Sequence, residues 1–269
     1  GTHGDRIAGD DIYSFLGTVG TPLGEKTIPV TVTDTQNHKT SSSFTLTITD
    51  MLLELPIQID DVTTGFSEYP EMSTIGNNVY LTWRDTRNGS RTDVYFNYSN
   101  DNGVTWHTDA RIDKTPPNSS SSGNPYISCA GSNVYIVYTD QRDGANNIYF
   151  NCSHDEGMTW QSSDIRINTD NISSANQGKP QITSSGDNVY IVWEDPRYDS
   201  DEYEYEIYFN YSHDAGVTWQ SSDIRLNTNP TGNSTSTFPV ISCEGDKVYV
   251  AWTDDRNGEA DIYFNYSHD

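Results

Sequence analysis

An internal repeat constrains the fold of this chain more than any other feature of its sequence. An apolar segment at residues 78–83 recurs at 133–138, 188–193 and 247–252. A second segment, Asp-Val-Tyr-Phe-Asn-Tyr-Ser at 93–99, recurs and ends at residues 153, 212 and 267. From 99 to 153, 153 to 212 and 212 to 267 the spacings are 54, 59 and 55 residues. These periods are close to the roughly 40–50 residues of one propeller blade.

The residue pattern within each unit predicts strands. Val134 and Ile136 face one side and Tyr135 faces the other, because side chains alternate along a strand. Both faces are apolar, so the strand should be covered on both sides, as in a blade between two neighbours. The four strand-like segments of one unit lie at 125–128, 133–138, 148–153 and 165–168. Four strands and no helical periodicity predict a β-propeller blade.

A turn of the form Ser-x-Asp-x-Gly-x-Thr-Trp follows the second segment in three units, and a fourth copy begins at Ser267. Glycine can take positive φ without a Cβ penalty, and aspartate can accept backbone N–H bonds across a turn. The tryptophan then covers the hairpin. The turn residues are Ser99, Asp101, Gly103, Trp106, Ser153, Asp155, Gly157, Trp160, Ser212, Asp214, Gly216 and Trp219.

Over residues 55–269 these turns resemble the Asp boxes, or BNR repeats, of the sialidase-like β-propeller superfamily. The resemblance implies an all-β fold with three full four-stranded blades, at about 69–113, 124–168 and 179–227, and part of a fourth from 238. It also implies that the Asp-box residues are structural and lie away from the active site. Sialidase-like propellers have six blades, so the propeller is expected to be incomplete here, with residues 57–60 as an outer strand that closes the ring.

Residues 1–52 are predicted to form a separate domain, followed by the propeller at 55–269. Residues 26–34 and 43–49 alternate in polarity around the polar turn 35–39, which is typical of a β-hairpin. This segment resembles the C-terminal part of an immunoglobulin-like or cadherin-like β module of surface proteins.

An Asp-x-Arg pair follows each apolar strand and supplies the main candidate ligand-face residues. One interpretation is a ring of carboxylates and guanidiniums in which arginine binds an anionic sugar through two hydrogen bonds. The other, which we favour, is a salt bridge that pins each loop to its own or the next blade. The pairs are Asp85 and Arg87, Asp140 and Arg142, Asp195 and Arg197, and Asp254 and Arg256.

The third unit departs from the repeat with a longer acidic loop at residues 198–206. Its residues Tyr203, Glu204 and Tyr205 are candidates for a carbohydrate platform or for a Ca²⁺ site, since carboxylate oxygens suit that ion. A solvated acidic loop is the alternative that we favour. No EF-hand spacing is present, so no cofactor and no metal ligand set are predicted.

Composition limits which partners and which cellular location are expected for this protein. The formal net charge is −24 and the pI is near 4.3, so nucleic acid and anionic lipid are not expected as partners. The sequence has no apolar stretch of membrane-span length. Cys129, Cys152 and Cys243 are expected to be small core residues rather than disulfides. Eight N-x-Ser/Thr sites are compatible with an extracellular or cell-surface protein.

Three functions remain open at this point. The first is a glycan- or protein-binding propeller, and the second is an exo-α-sialidase or related glycoside hydrolase. The third is a structural spacer in a surface layer. Sialidases use an Arg-Ile-Pro motif for their first substrate arginine, and this motif is absent here. We therefore assign no catalytic residue from the resemblance and favour the binding module.

Overall fold

A computed structural model describes residues 24–33, 39–48, 56–61, 64–170, 176–197, 204–230 and 234–267, the first two segments by their backbone alone. The chain divides into two compact units, Gly1–Ile57 and Gln58–Asp269, which we describe separately. The described residues form no helix that is long and apolar enough to cross a membrane.

The first unit contains a two-stranded antiparallel sheet. β1 (Gly24–Thr33) pairs with β2 (Lys39–Ile48) so that Gly24 lies opposite Ile48 and Thr33 lies opposite Lys39. Threonine, valine and isoleucine fill six of the ten positions of β1, and threonine and isoleucine fill four of the ten of β2. Such β-branched residues favour extended backbone. Both strands of the predicted hairpin are present. Of the predicted turn at 35–39, Lys39 belongs to β2, and residues 35–38 lie outside the described residues. The immunoglobulin-like or cadherin-like assignment stays a prediction.

The second unit consists of four antiparallel sheets in chain order, which are its blades. Blade 1 contains β3 (Ser67–Ile75), β4 (Asn78–Asp85), β5 (Asp93–Ser99) and β6 (Ala110–Arg111). Blade 2 contains β7 (Ser122–Ala130), β8 (Asn133–Asp140), β9 (Asn147–Ser153) and β10 (Ile165–Arg166). Blade 3 contains β11 (Gly178–Ser185), β12 (Asn188–Asp195), β13 (Glu206–Ser212) and β14 (Ile224–Arg225). Blade 4 contains β15 (Ser236–Glu244), β16 (Lys247–Asp254) and β17 (Asp261–Ser267).

Within each blade, every strand pairs with the next one along the chain, which confirms the predicted all-β blades. The fourth strands are shorter than predicted, because only Ile165 and Arg166 pair with β9 in blade 2. Beyond them, the side-chain Oδ1 of Asn168 accepts the N–H of Ile148 at 2.9 Å, in place of a backbone ladder bond. Residues 57–60, predicted as an outer strand, have no strand pairing in the structure.

The second strands of blades 2 and 3 each lie between two hydrophobic clusters, as their sequence predicts. In β8, Val134 and Ile136 pack in a cluster with residues of blade 1. Tyr135 and Val137 pack in the other cluster, with residues of blade 3, and all four side chains are fully buried. Each such side chain stabilises the fold by about 1.5–3 kcal/mol.

The first strands of consecutive blades contact one another along the inner edge of the assembly. Three side-chain hydrogen bonds connect them, Ser73 to Cys129 at 3.1 Å, Ser128 to Ser184 at 2.7 Å and Thr183 to Cys243 at 3.3 Å. All three cysteines are free thiols, and Cys152 is buried.

Candidate ligand-binding face

Strand register places the two repeated turns at opposite ends of each blade. In blade 2, Val134 lies opposite Ser153 at the end that carries the Asp box, and Asp140 lies opposite Asn147 at the other end. Six residue steps separate Val134 from Asp140, which corresponds to about 20 Å at about 3.3 Å per residue. We call the second end the Asp-x-Arg end.

The Asp boxes are closed hydrogen-bonded turns. In blade 2, Ser153 Oγ accepts the N–H of Gly157 at 2.9 Å and donates to Asp155 Oδ1 at 2.7 Å. Asp155 also accepts the N–H of Thr159 at 2.8 Å and its hydroxyl at 2.6 Å. Equivalent hydrogen bonds from threonine hold the pKa of Asp101, in the Asp box of blade 1, at about 2. These side chains form their hydrogen bonds within their own turn, so they present no free group to a ligand.

The Asp-box tryptophans also join neighbouring blades. Trp160 packs edge-on against Phe96 of the preceding blade, with ring centroids 4.9 Å apart, and Trp219 packs in the same way on Phe150. A Cβ added at Gly216 (φ +84°) would lie 2.6 Å from the Phe150 ring. The glycine is therefore needed both for its backbone conformation and for the close approach of the next blade.

The Asp-x-Arg pairs form buried ion-pair networks. In blade 2, Arg142 donates from Nη2 to Asp140 at 2.8 Å and from Nη1 to Asp164 at 2.8 Å. Its guanidinium lies 3.9 Å from the centre of the Tyr149 ring. Burial alone would lower the pKa of Arg142, but hydrogen bonds with these carboxylates raise it. The backbone N–H of Lys114, which follows the last strand of blade 1, also donates to Asp164 at 2.8 Å. The network therefore connects two blades.

The other blades repeat this arrangement. Blades 1 and 3 add a second carboxylate to the pair, and blade 4 forms the pair alone. The arginines keep between 10% and 20% of their side-chain surface exposed, and the paired aspartates are fully buried. The ion pairs are Arg87 with Asp85 and Asp109, Arg197 with Asp195 and Asp223, and Arg256 with Asp254.

A second buried polar cluster lies at the same end of blade 1. Asp93 and Asp113 are both fully buried, and Arg111 approaches a carboxylate oxygen of each at 3.6 Å. Asp113 accepts the N–H of Val94 at 2.9 Å and the Thr115 hydroxyl at 2.8 Å. Burial raises the pKa of Asp113 to about 6. Full burial places this carboxyl pair out of reach of a ligand.

A β-bulge near the start of the first strand of every blade is the feature that sequence reasoning missed. The register gains one extra residue between Glu68 and Glu71 in β3, and an equivalent shift occurs in β7, β11 and β15. The residue before a proline takes a left-handed backbone at each bulge, which is rare for a residue other than glycine. These residues are Tyr69 (φ 55°), Asn124 (φ 47°), Lys179 (φ 42°) and Phe238 (φ 55°).

Bulges redirect side chains, and strained backbone of this kind concentrates at functional sites. Tyr69 is 57% exposed and Phe238 is 62% exposed, although both are large aromatic residues. The bulges lie at the Asp-x-Arg end, because Ser67 pairs with Asp85. Four neighbouring strands thus present four different side chains at one repeat position. A proline at constant repeat position after a variable residue is the sequence signal that could have revealed them.

Charged groups accompany the two exposed aromatic rings. The Arg84 guanidinium lies 4.0 Å from the centre of the Tyr69 ring and pairs with Glu68 at 2.7 Å. Lys179 Nζ lies 3.4 Å from the centre of the Phe238 ring and pairs with Glu194 at 3.0 Å. Each ring therefore sits beside one cation and one carboxylate.

A shallow cleft of about 160 Å³ opens between blades 1 and 2 at this end. Its lining is mainly polar and includes Arg84, Asn124, Thr139 and Asn146. The volume is below the roughly 300–1,000 Å³ of enclosed small-molecule pockets. The cleft and the exposed rings therefore suit a ligand that lies on the surface.

The acidic loop is only partly described. Tyr203 lies outside the described residues, and Glu204 and Tyr205 are half-buried. The carbonyl oxygen of Tyr205 accepts the N–H of Ser236 at 2.7 Å, which ties the end of the loop to blade 4. Within the described part of the chain, three or more His, Cys, Asp or Glu side chains do not converge on a common metal position.

Solved structures share this blade architecture at low sequence identity. A Hadza microbial sialidase superimposes with a TM-score of 0.53 at 15% identity, over 76% of this chain and 46% of that one. A Penicillium chrysogenum α-L-arabinanase complexed with arabinobiose gives 0.54 at 16% identity, over 76% and 63%. The Trypanosoma rangeli sialidase in complex with the inhibitor DANA gives 0.52 at 11% identity, over 90% and 41%. The chain spans less than two thirds of each of these structures, and the likeness establishes the fold.

Sequence comparison establishes the family. The family described as "BNR repeat-containing family member" matches residues 34–179, more than half of the chain, and the chain therefore belongs to it. No curated protein matches the sequence. The predicted Asp-box, or BNR, repeat is thereby confirmed by the family match, and the predicted sialidase-like propeller fold by the solved structures.

Proposed function

We propose that this protein is an extracellular or cell-surface β-propeller module that binds glycans, without catalysis, at the Asp-x-Arg end of its blades. One observation carries the proposal, namely the row of four bulges with a different side chain in each blade, of which the Tyr69 and Phe238 rings are exposed. Exposed aromatic rings can stack on the apolar C–H face of a sugar, and adjacent charged and amide groups can bind its hydroxyls. The solved structures with this fold include glycan-active proteins, which is compatible with such a ligand.

The hydrolase alternative has weaker support from the described residues. Glycosidases place two carboxyl groups, or in sialidases a tyrosine with an acid, where the sugar reaches them. The buried pair Asp93 and Asp113 has no exposed surface. The exposed carboxylate Glu68 is paired with Arg84, and the buried Glu194 is paired with Lys179.

Glycan-array binding with two bulge variants tests the proposal. Tyr69→Gly and Phe238→Gly remove a ring at a position where glycine adopts the observed φ without strain. Each variant should raise the dissociation constant for an array hit by about tenfold, equivalent to a loss of about 1.4 kcal/mol of binding free energy. Met158→Ala is the matched control, since Met158 is 63% exposed at the Asp-box end, and it should bind like the wild type.

Two outcomes would count against the proposal. A folded wild-type protein that bound no glycan on the array would leave a protein-binding or spacer role. Hydrolysis of an array hit or of a fluorogenic sialoside, lost on changing a single tyrosine, would establish the hydrolase alternative.

A further inference from the structure

Resting on the proposed glycan-binding function, we infer that this site is selective for uncharged glycans and discriminates against sialylated, uronylated and sulfated ones. The inference concerns the state of the cations at the Asp-x-Arg end. A binding site for an anionic sugar needs a cation whose charge is not already neutralised, and here the repeated cations are neutralised by the protein itself.

The four repeated arginines all form ion pairs with carboxylates of the chain. Arg87, Arg142 and Arg197 each contact two carboxylates, all at 2.5–2.8 Å. Arg256 contacts Asp254 at 2.5 Å. A ligand carboxylate would have to displace a fully buried aspartate, and an uncompensated buried charge is strongly unfavourable. The Asp-x-Arg arginines, which could otherwise bind an anionic sugar, are therefore used in ion pairs that stabilise the blades.

The two cations beside the exposed rings are also paired. Arg84 and Glu68 keep 27% and 53% of their side chains exposed, so this ion pair is accessible to a ligand. Lys179 keeps 42% exposed, but its partner Glu194 is buried. Each cation–carboxylate pair is neutral overall, and in the Arg84–Glu68 pair both partners can bind sugar hydroxyls, the cation as donor and the carboxylate as acceptor. An uncharged sugar can use both partners of this pair, whereas an anionic sugar meets Glu68 as a like charge.

The electrostatic field of the whole protein also disfavours anionic glycans. With a formal charge of −24, the surface repels anions, and the repulsion acts within a Debye length of about 8 Å at physiological salt. Arg91 is an exposed cation in the β4–β5 loop of blade 1 that contributes to none of the ion pairs described above. It provides a direct test of whether a surface cation recruits an acidic glycan.

The experiment compares neutral oligosaccharides on an array with their sialylated, uronylated and sulfated counterparts, for the wild type, Glu68→Gln and Arg91→Gln. The wild type should bind neutral members more tightly. Glu68→Gln frees Arg84 and should raise the anionic-to-neutral affinity ratio by about two- to fivefold, the range expected from an exposed ion pair. Arg91→Gln should leave that ratio unchanged.

Tighter binding of acidic counterparts by the wild type would overturn the inference while leaving glycan binding intact. The inference would equally fail if Glu68→Gln left the ratio unaltered, or if Arg91→Gln lowered it. A wild type that bound neither class would instead refute the proposed function itself, so the two failures are distinguishable.

Discussion

Replacing Asp113 with asparagine should stabilise the protein at neutral pH. Asp113 is fully buried, and its pKa is raised from the ordinary 3.8 to about 6, mainly by burial. A difference of about two pKa units corresponds to about 3 kcal/mol of cost for keeping the carboxylate ionised in the folded state. The chain itself supplies the precedent, since Asn168 and Asn227 occupy this position in blades 2 and 3 and accept the equivalent backbone N–H.

The effect has a defined pH window. A carboxyl whose pKa is higher in the folded than in the unfolded state binds protons more tightly when folded, so its contribution to stability decreases as pH rises from about 4 to about 6. The difference in unfolding free energy between Asp113→Asn and wild type should therefore be near zero at pH 4 and reach up to about 3 kcal/mol at pH 7. Asparagine can also donate to Asp93 Oδ1, which has no hydrogen-bond partner among the described residues.

Urea denaturation followed by tryptophan fluorescence at several pH values between 4 and 7.5 measures this difference directly. Asn168→Asp is the matched control, because it places a carboxylate beside Asp170 in blade 2 and should destabilise the protein at pH 7 but not at pH 4. A difference between Asp113→Asn and wild type that stayed constant with pH would refute the reasoning, since it would mean that Asp113 does not titrate in this range.

Three further perturbations test the packing. In thermal denaturation, Gly216→Ala should lower the free energy of unfolding by about 2–4 kcal/mol, because of the positive φ and the 2.6 Å approach to Phe150. Gly103 has the same φ of +84° but open space around it, so Gly103→Ala should lower that free energy by about 1–2 kcal/mol. Equal losses would contradict the interblade contact. Trp219→Ala should cost about 2 kcal/mol because the ring is half-buried, and exposed Val217→Ala should cost less than about 0.5 kcal/mol. Burial raises the pKa of Cys152 to about 12, so peptide mapping should find it unmodified by iodoacetamide at pH 8 unless urea is added.

The blades and their turns could be predicted from sequence because the information is local. The alternation in residues 133–138 predicts a strand covered on both faces, and Val134 and Tyr135 do enter different clusters. The Asp-box glycines lie within a few residues of the aspartate and serine that complete the turn, and Gly157 has the expected positive φ of 89°. Repetition at a near-constant spacing then predicted the blade as a unit.

The state of the candidate site depended on contacts between residues distant in sequence. The pair of Arg142 with Asp140 is local, but its second carboxylate, Asp164, lies 22 residues later and is itself bound by a backbone N–H that follows the preceding blade. No local pattern reports that contact.

The bulge residues show the same limit in the backbone. A residue before proline ordinarily favours extended backbone, yet Tyr69 is left-handed, because one extra residue is inserted into β3 against β4. The sequence by itself determined the repeat, the strands and the Asp-box turns, since these depend on neighbours in the chain. Only the tertiary structure decided which polar side chains form contacts between blades and which point outward. Both depend on how strands and blades pair with one another.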